Sequence, residues 1–329
     1  MYADAVRRNL FVTYTPAASF IPTRTLLLRH GGSPLPHEAK PSMRHRTEGP
    51  ARSPLESAPL APGRGVLAFA RVEGETALVR RAARSPLQIL SPRRCGRAAW
   101  AILSSHGGGL VAGDTLSLDV DVGPGATALL TTQSEGKVYR STGGETAAQA
   151  LRARIEGSGV LVALPDLVSC FAGARYEQRQ RFELAPDASL LFVDGIACGR
   201  EARRERWAFS RYASRSEVAV GGRLVFAESL ELEANLSRPL AARLGRFSAF
   251  AMAVALGPLF ARASAELLEA NGRQPVQRHA SLLAVASPIP GGFLLRAGAT
   301  TPEELRELLR AQLAFTAEAL GEDPFARRW

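Results

Sequence analysis

Few side chains in this sequence are of types that attack carbonyls, shuttle protons or hold metals, and their spacing restricts the chemistry. Five histidines and three cysteines, Cys95, Cys170 and Cys198, are spread over 329 residues, with no CxxC pair. Beyond residue 99 only His106, His279, Cys170 and Cys198 remain, and none stand at metal-ligand spacing, so no permanent zinc or nickel site is expected. His106-Gly107-Gly108-Gly109 has the form of an esterase oxyanion loop. That chemistry also requires a G-x-S-x-G nucleophile elbow and a later triad histidine. The chain has no such elbow, and His279 is the only histidine that follows. Gly123-Pro124-Gly125-Ala126-Thr127-Ala128 reads G-x-G-x-x-A after a strand. A dinucleotide fingerprint needs a helix next, whose N-terminus holds the pyrophosphate. Here Leu129-Leu130-Thr131-Thr132 continues as a strand, so Gly-Pro-Gly is a hairpin turn.

Charge narrows the function classes further. The net charge is +10. Residues 1–99 hold 16 Lys and Arg against 6 Asp and Glu, which leaves 41 − 16 = 25 basic and 31 − 6 = 25 acidic residues beyond them. A neutral body argues against a nucleic-acid-binding domain, which carries its own basic excess. Binding through the basic N-terminal third stays as an alternative, as does a cryptic hydrolase holding an anion in the Gly107–Asp114 loop. An odd cysteine count at wide spacing fits a reducing compartment and hence the cytoplasm. No apolar run reaches the about 20 residues of a membrane helix; the longest, Phe247 to Phe260, is interrupted by Gly257-Pro258.

The elements that must position any site are strands. Residues 1–62 are rich in Pro, Ser and Arg without periodicity, and read as a disordered or mis-called N-terminal extension with Met43 as an alternative start; an Arg-rich transit peptide is the sharper option. From Arg64 onward short apolar or alternating runs recur between turn residues. They are 66–72, 77–81, 98–103, 116–122, 127–132, 148–155, 160–164, 179–184, 189–193, 217–220, 223–232, 282–286 and 293–297. Two segments read as helices, 259–270, ending in Asn271-Gly272, and 301–320, opening on Thr301-Pro302 with Glu304 three residues on. The expectation is one large, mainly β domain over 63–329, built of layered sheets with two helices in its C-terminal third.

One ordered set of segments remains. Ser105-His106-Gly107-Gly108-Gly109-Leu110-Val111-Ala112-Gly113-Asp114 resembles the G-G-[LIV]-V-x-G-D segment of the UreD (UreH) urease accessory proteins. Leu130-Thr131-Thr132 through Lys137-Val138-Tyr139-Arg140 resembles that family's T-T-x-x-x-x-K-[VF]-Y-[RK] segment. Leu164-Pro165-Asp166, Cys170-Phe171, Ala174-Arg175-Tyr176, Asp194, Gly199-Arg200, Glu205-Arg206-Trp207-Ala208-Phe209 and the terminal Arg327-Arg328-Trp329 follow in family order. The resemblance runs from about Arg64 to the C-terminus. His106-Gly107 and Ala112 depart from many bacterial members, and Gly107, Gln133 and Val138 look closer to plant and fungal versions.

The resemblance implies a helical stack of strands and no catalysis by this chain. It implies partners, namely apo-urease, a UreF-type protein and, through it, a UreG-type GTPase, with no nucleic acid and no membrane. It also implies transient Ni2+ and no permanently bound cofactor. A path for nickel would run past Asp114, Asp166, Asp194 and Glu205, weak oxygen ligands from which a hydrated cation exchanges readily. Lys137, the body's only lysine in a chain that otherwise uses Arg, Tyr139, Arg140, Arg175 and Arg200 complete the candidate binding residues. Gly108, Gly109 and Gly113 are expected to shape the loop through positive φ or close approach. Each carboxylate has a structural role to weigh as well. Asp114 suits a turn, and Asp166, Asp194 and Glu205 suit ion pairing with Arg175 or Arg200.

Overall fold

The computed structural model describes residues 60–92, 96–234, 238–273, 277 and 279–326. The expectations for the N-terminal extension, Cys95 and Arg327–Trp329 lie outside the described residues, apart from the first few residues before the sheet begins.

Strands dominate. In chain order they are β1 (Arg64–Val72), β2 (Glu75–Ala83), β3 (Leu87–Leu90), β4 (Ala99–Ser105), β5 (Thr115–Val122) and β6 (Thr127–Thr132). There follow β7 (Gly136–Val138), β8 (Ala147–Ile155), β9 (Val160–Leu164), β10 (Val168–Cys170), β11 (Arg175–Leu184) and β12 (Ser189–Ala197). The last are β13 (Arg211–Val220), β14 (Arg223–Glu233), β15 (Ala249–Leu256), β16 (Leu282–Ile289) and β17 (Gly292–Ala299). The described helices are α1 (Leu240–Leu244), α2 (Ala261–Gly272), α3 (Pro302–Gln312) and α4 (Thr316–Leu320).

The strands form two sheets. One has seven strands in the order β14-β13-β11-β8-β5-β1-β2, and the other runs β16-β17-β15-β12-β9-β6-β4-β3, with β10 and β7 attached through β12. Within the first, β1, β5, β8, β11 and β13 are parallel; within the second, β4, β6, β9 and β12 are parallel. The chain therefore alternates between layers, from β5 to β6, β8 to β9 and β11 to β12, and each pair stacks on the one before like a coil of a solenoid. Glycine turns make the corners. The Gly125 N–H donates to Gly157 O at 3.0 Å, and Ser158 Oγ to Asp187 Oδ2 at 2.9 Å, so successive corners bond to one another. At Gly159 a Cβ would stand 2.8 Å from Glu156 O and 3.1 Å from Gly123 O, too close for any other residue.

Two cores result. Between the sheets lie Phe69, Tyr176, Phe182, Phe192, Tyr212 and Phe226, with Phe182 stacked on Phe192 at 4.6 Å between centroids. On the outer side of the second sheet, Leu305, Leu309, Leu313 and Leu320 from α3, α4 and the segment between them pack with Phe260 and Phe293. Covered on both faces, β9 is buried at every position, which explains its unbroken apolar run. No described helix is long and apolar enough to cross a membrane.

Candidate functional site

The interlayer core is not apolar throughout. On β11 the inward residues are Tyr176, Gln178, Gln180, Phe182 and Leu184, all buried, while Arg179 and Arg181 between them face solvent. Parallel register sets Gln178 beside Gln149 of β8 on one side and Ser214 of β13 on the other. One step along, Gln180 lies beside Ser216, and Ser216 opposite Glu228 of β14. A polar band thus crosses the inner face of the seven-stranded sheet where alternation elsewhere places Leu, Val or Phe.

Asp194 of β12 meets this band from the opposite layer. Its carboxylate accepts from Gln178 Nε2 at 2.9 Å and from Ser214 Oγ at 2.5 Å. Gln178 Oε1 in turn accepts from the Tyr176 hydroxyl at 3.0 Å, and that hydroxyl lies 3.2 Å from Gln149 Oε1. Asp194 is 8% exposed. Burial pushes its carboxyl above the usual carboxylate range; the Ser214 and Gln178 hydrogen bonds pull it back, and the nearby Glu228 raises it further.

This band lines a partly open cavity of about 140 Å³, room for on the order of five waters at roughly 30 Å³ each. Of its lining residues Asp194, Gln178 and Gln180 are buried, Gln149, Glu135, Asp166 and Thr132 are half-buried, and Lys137 is exposed. Thr132 Oγ1 donates to Asp166 Oδ2 at 3.0 Å and accepts from the Asp166 N–H at 2.8 Å, which fixes that carboxylate at the end of β9. Glu135 is raised by burial, opposed chiefly by Arg306 of α3, whose Nη2 lies 3.7 Å from its Oε2. At the far end of the polar band Glu228 pairs with Arg296 of β17 at 2.5 Å, joining the two layers.

The glycine loop forms part of the same wall. Gly108 and Gly109 line the cavity, Gly108 with φ of +69°. A Cβ at Gly109 would stand 2.7 Å from both Lys137 O and Tyr139 Cε2, so the loop packs directly on β7, held there by Leu110 N–H to Lys137 O at 2.8 Å. Gly113, with φ of +83°, turns the chain into β5. His106 lies at the surface, its ring nitrogen 2.7 Å from Gln88 Nε2.

The structure thus brings Asp166, Asp194, Lys137, Gly108 and Gly109 together on one cavity and sets the other candidates outside its wall. Asp114 closes a turn, its Oδ2 accepting from the Val111 N–H at 2.9 Å. Glu205 is held by Arg200, with Oε1 2.6 Å from Nη2 and Oε2 2.9 Å from Nε, and also takes the Ala172 N–H at 3.2 Å. The Arg200 guanidinium lies 4.1 Å from the centroid of Phe171, which packs edge-on against Tyr139 at 5.4 Å. Arg140 sits over Gly173, and the buried Nε of Arg175 has no hydrogen-bond partner among the described residues. The expected pairing of Glu205 with Arg200 is present, whereas Asp194 takes its hydrogen bonds from Ser214 and Gln178, and Asp166 is bonded to Thr132. Sequence reasoning missed Glu135, Gln149, Gln178, Gln180, Ser214 and Glu228. The available signal was parity, since Gln178 and Gln180 share the strand face of Phe182 and Leu184.

Among the described residues no group of three or more His, Cys, Asp and Glu could hold a metal ion. The cavity instead presents separate carboxylates, hydroxyls and amide oxygens, a donor set that suits passing hard or hydrated cations.

The profile of the UreD urease accessory protein family matches residues 61–329. The chain belongs to that family. It is 52% identical over 268 residues to the urease accessory protein UreD of Anaeromyxobacter sp. (strain Fw109-5), covering 82% of this chain and 90% of that protein. It is 50% identical over 268 residues to the UreD of Sorangium cellulosum (strain So ce56), covering 81% and 84% respectively. Urease accessory protein D of Oryza sativa subsp. japonica is 31% identical over 306 residues, covering 84% of this chain and 99% of that protein. As a whole the chain shares more with these two bacterial proteins than with the rice one.

Proposed function

We propose that this chain is a non-catalytic scaffold of urease maturation that passes nickel towards apo-urease through its interlayer cavity. A UreF-type protein and, through it, a UreG-type GTPase are its partners, and the cytoplasm its place of work. Family membership supports the role in urease maturation. The observation that supports passage is the cavity, lined by the half-buried Asp166 and Glu135 and the buried Asp194 without a closed ligand cluster among the described residues. A carrier of cargo must release it, so separated oxygen donors serve better than a tetrahedral cage.

Co-expression with a urease operon and its accessory proteins tests the reading. Asp166→Asn, Glu135→Gln and Asp194→Asn keep shape and hydrogen-bonding capacity while removing charge. The expected result is an intact complex in which urease nickel content and activity fall together, several-fold, at limiting nickel. Full activation by all three single variants overturns the conduit.

A further inference from the structure

Where β12 ends and β15 begins, the loop after β12 folds back over the segment that leads into β15. Residues 199–206 and 243–247 together hold six arginines and two glutamates, a surplus of four within a body whose charges otherwise balance. The two segments are clamped to each other. Arg206 Nη2 donates to Gly245 O and Phe247 O at 2.7 and 2.8 Å, and Trp207 Nε1 donates to Phe247 O at 2.9 Å. Trp207 is buried with φ of +53°, and Arg204 has φ of +62°. L side chains adopt this left-handed conformation at a cost, so it persists only where surrounding contacts impose it. Within the loop Glu205 holds Arg200 through two nitrogens, and Glu201 lies 3.5 Å from Arg206. The loop therefore presents Arg203 and Arg204 outward, and α1 presents Arg243. All three are exposed, and their guanidinium groups form no hydrogen bond or ion pair among the described residues. Two further guanidinium groups lie over rings, Arg200 over Phe171 at 4.1 Å and Arg246 over Phe247 at 4.4 Å.

Free arginines alone make a solvated face. Here a braced turn holds them, and neighbouring guanidinium groups lie flat on aromatic rings, the combination of Arg and aromatic side chains that interface centres favour. We propose that this face docks a carboxylate-lined protein surface, that of apo-urease. The inference rests on the scaffold reading for its partner and adds where that partner sits. A guanidinium group meets a carboxylate with paired donors, and a turn already fixed loses less freedom on docking. Glu201 and Glu205 among the arginines repel a phosphate backbone, whereas a protein surface of mixed charge accommodates them. Exposed charge pairs speed association and weaken with salt. That behaviour suits urease, which must leave once activated, better than a partner retained from one cycle to the next. The position agrees with delivery. Gly199 packs against Cys170 O at the end of β10, and Val168 of the same strand lines the cavity. A protein docked on this face stands beside the strand that walls the proposed path.

Biolayer interferometry with purified apo-urease and the full chain, in complex with its UreF-type partner if solubility requires it, tests the face without nickel. Arg203→Glu combined with Arg243→Glu should weaken binding about tenfold or more, and wild-type binding should weaken as salt rises. Arg152→Glu combined with Arg154→Glu makes the same change of net charge on exposed arginines of β8. That control should stay within about twofold of the wild type. Circular dichroism and unfolding midpoints establish that each variant is folded. If the glutamate pair does not fold, Arg203→Gln combined with Arg243→Gln takes its place, with a smaller loss in the same direction. Unchanged binding by a folded variant of the face overturns the proposal. An equal loss in the β8 control overturns it as well, since net charge is then the cause. So does loss of the UreF-type partner, or of binding to a DNA duplex, while apo-urease binding stays intact. A wild-type chain that binds no apo-urease at all sinks the scaffold reading itself. The conduit experiment reads nickel in an intact complex, so it succeeds or fails separately.

Discussion

Glu205 and Asp194 carry the same formal charge and stand in opposite electrostatic surroundings. Asp194 faces neutral donors and a second carboxylate, while Glu205 is gripped by two nitrogens of Arg200 and a backbone N–H. The Arg200 hydrogen bond holds the Glu205 carboxyl below its ordinary value. A carboxyl lowered by folding contributes stability that is fully present above the ordinary glutamate range and is lost as pH falls through the lowered folded value. Glu205→Gln should therefore destabilise the protein at neutral pH and leave a smaller loss on acidification than the wild type shows. Because Arg200 is 39% exposed, solvent screens the pair and the cost at neutral pH is set at about 1 kcal/mol. Urea unfolding midpoints measured across the acid range check this. Equal pH profiles for the two proteins refute it. Since Glu205 lies outside the cavity wall, the same variant should still activate urease, unlike Asp194→Asn.

At the scale of elements, the sequence pattern was most legible where glycine turns bound a strand. Strands 127–132 and 160–164 fall where the alternation and apolar runs put them, but Gly123-Pro124-Gly125, expected as a hairpin turn, is the corner between two layers, because β5 and β6 lie in different sheets. Strands of three residues, such as β7 and β10, have too few positions to show any period. Continuous apolarity hid β15, because both of its faces are covered and its run matches a buried helix equally well. The site was less legible than the fold. Its deep residues are glutamines and serines, which read as polar positions on a strand until the partner sheet shows which face they occupy. Several arginines of the neutral body have a plain role: Arg179 with Glu177, Arg181 with Glu183 and Arg215 with Glu217 pair along the seven-stranded sheet. The C-terminal helix was expected as one piece over 301–320 and is two. Phe315 turns in at the break to pack on Phe260 and Phe293, at 5.8 and 6.3 Å between centroids, and Thr316 Oγ1 donates to Leu313 O at 2.7 Å. Its start agrees with the sequence: Thr301 Oγ1 accepts from the Glu304 N–H at 3.2 Å, with Pro302 in the first turn. Thr301→Ala leaves that donor without its cap and should lower stability by about 1 kcal/mol, with Thr301→Ser restoring most of it. Chemical denaturation of the three proteins decides, and an unchanged midpoint in Thr301→Ala shows that packing on the second sheet alone fixes this helix.

At the scale of the molecule, the question is where the cooperative unit begins. The first sheet starts at Arg64, and the residues just before it are already bonded to the body. The Gly63 N–H donates to Arg84 O and Ser85 O at 3.1 and 2.9 Å, and Arg84 Nη1 donates to Leu60 O at 2.8 Å. At Gly63 a Cβ would stand 2.0 Å from Thr115 O, so this approach is part of the packing between β1 and β5. The family match begins at residue 61, in the same place. Upstream, the composition of Pro, Ser and Arg without apolar period offers no face to bury. A chain beginning at Leu60 should therefore unfold in one transition, with the midpoint and denaturant dependence of the full-length protein, since the slope follows the surface exposed on unfolding. It should also activate urease to the same level in co-expression. One beginning at Gly65 loses the Gly63 and Arg84 contacts and should unfold earlier. A lower midpoint or a shallower slope for the chain starting at Leu60 places part of the preceding segment inside the folded unit. Normal stability with failed urease activation would instead assign that segment to partner binding.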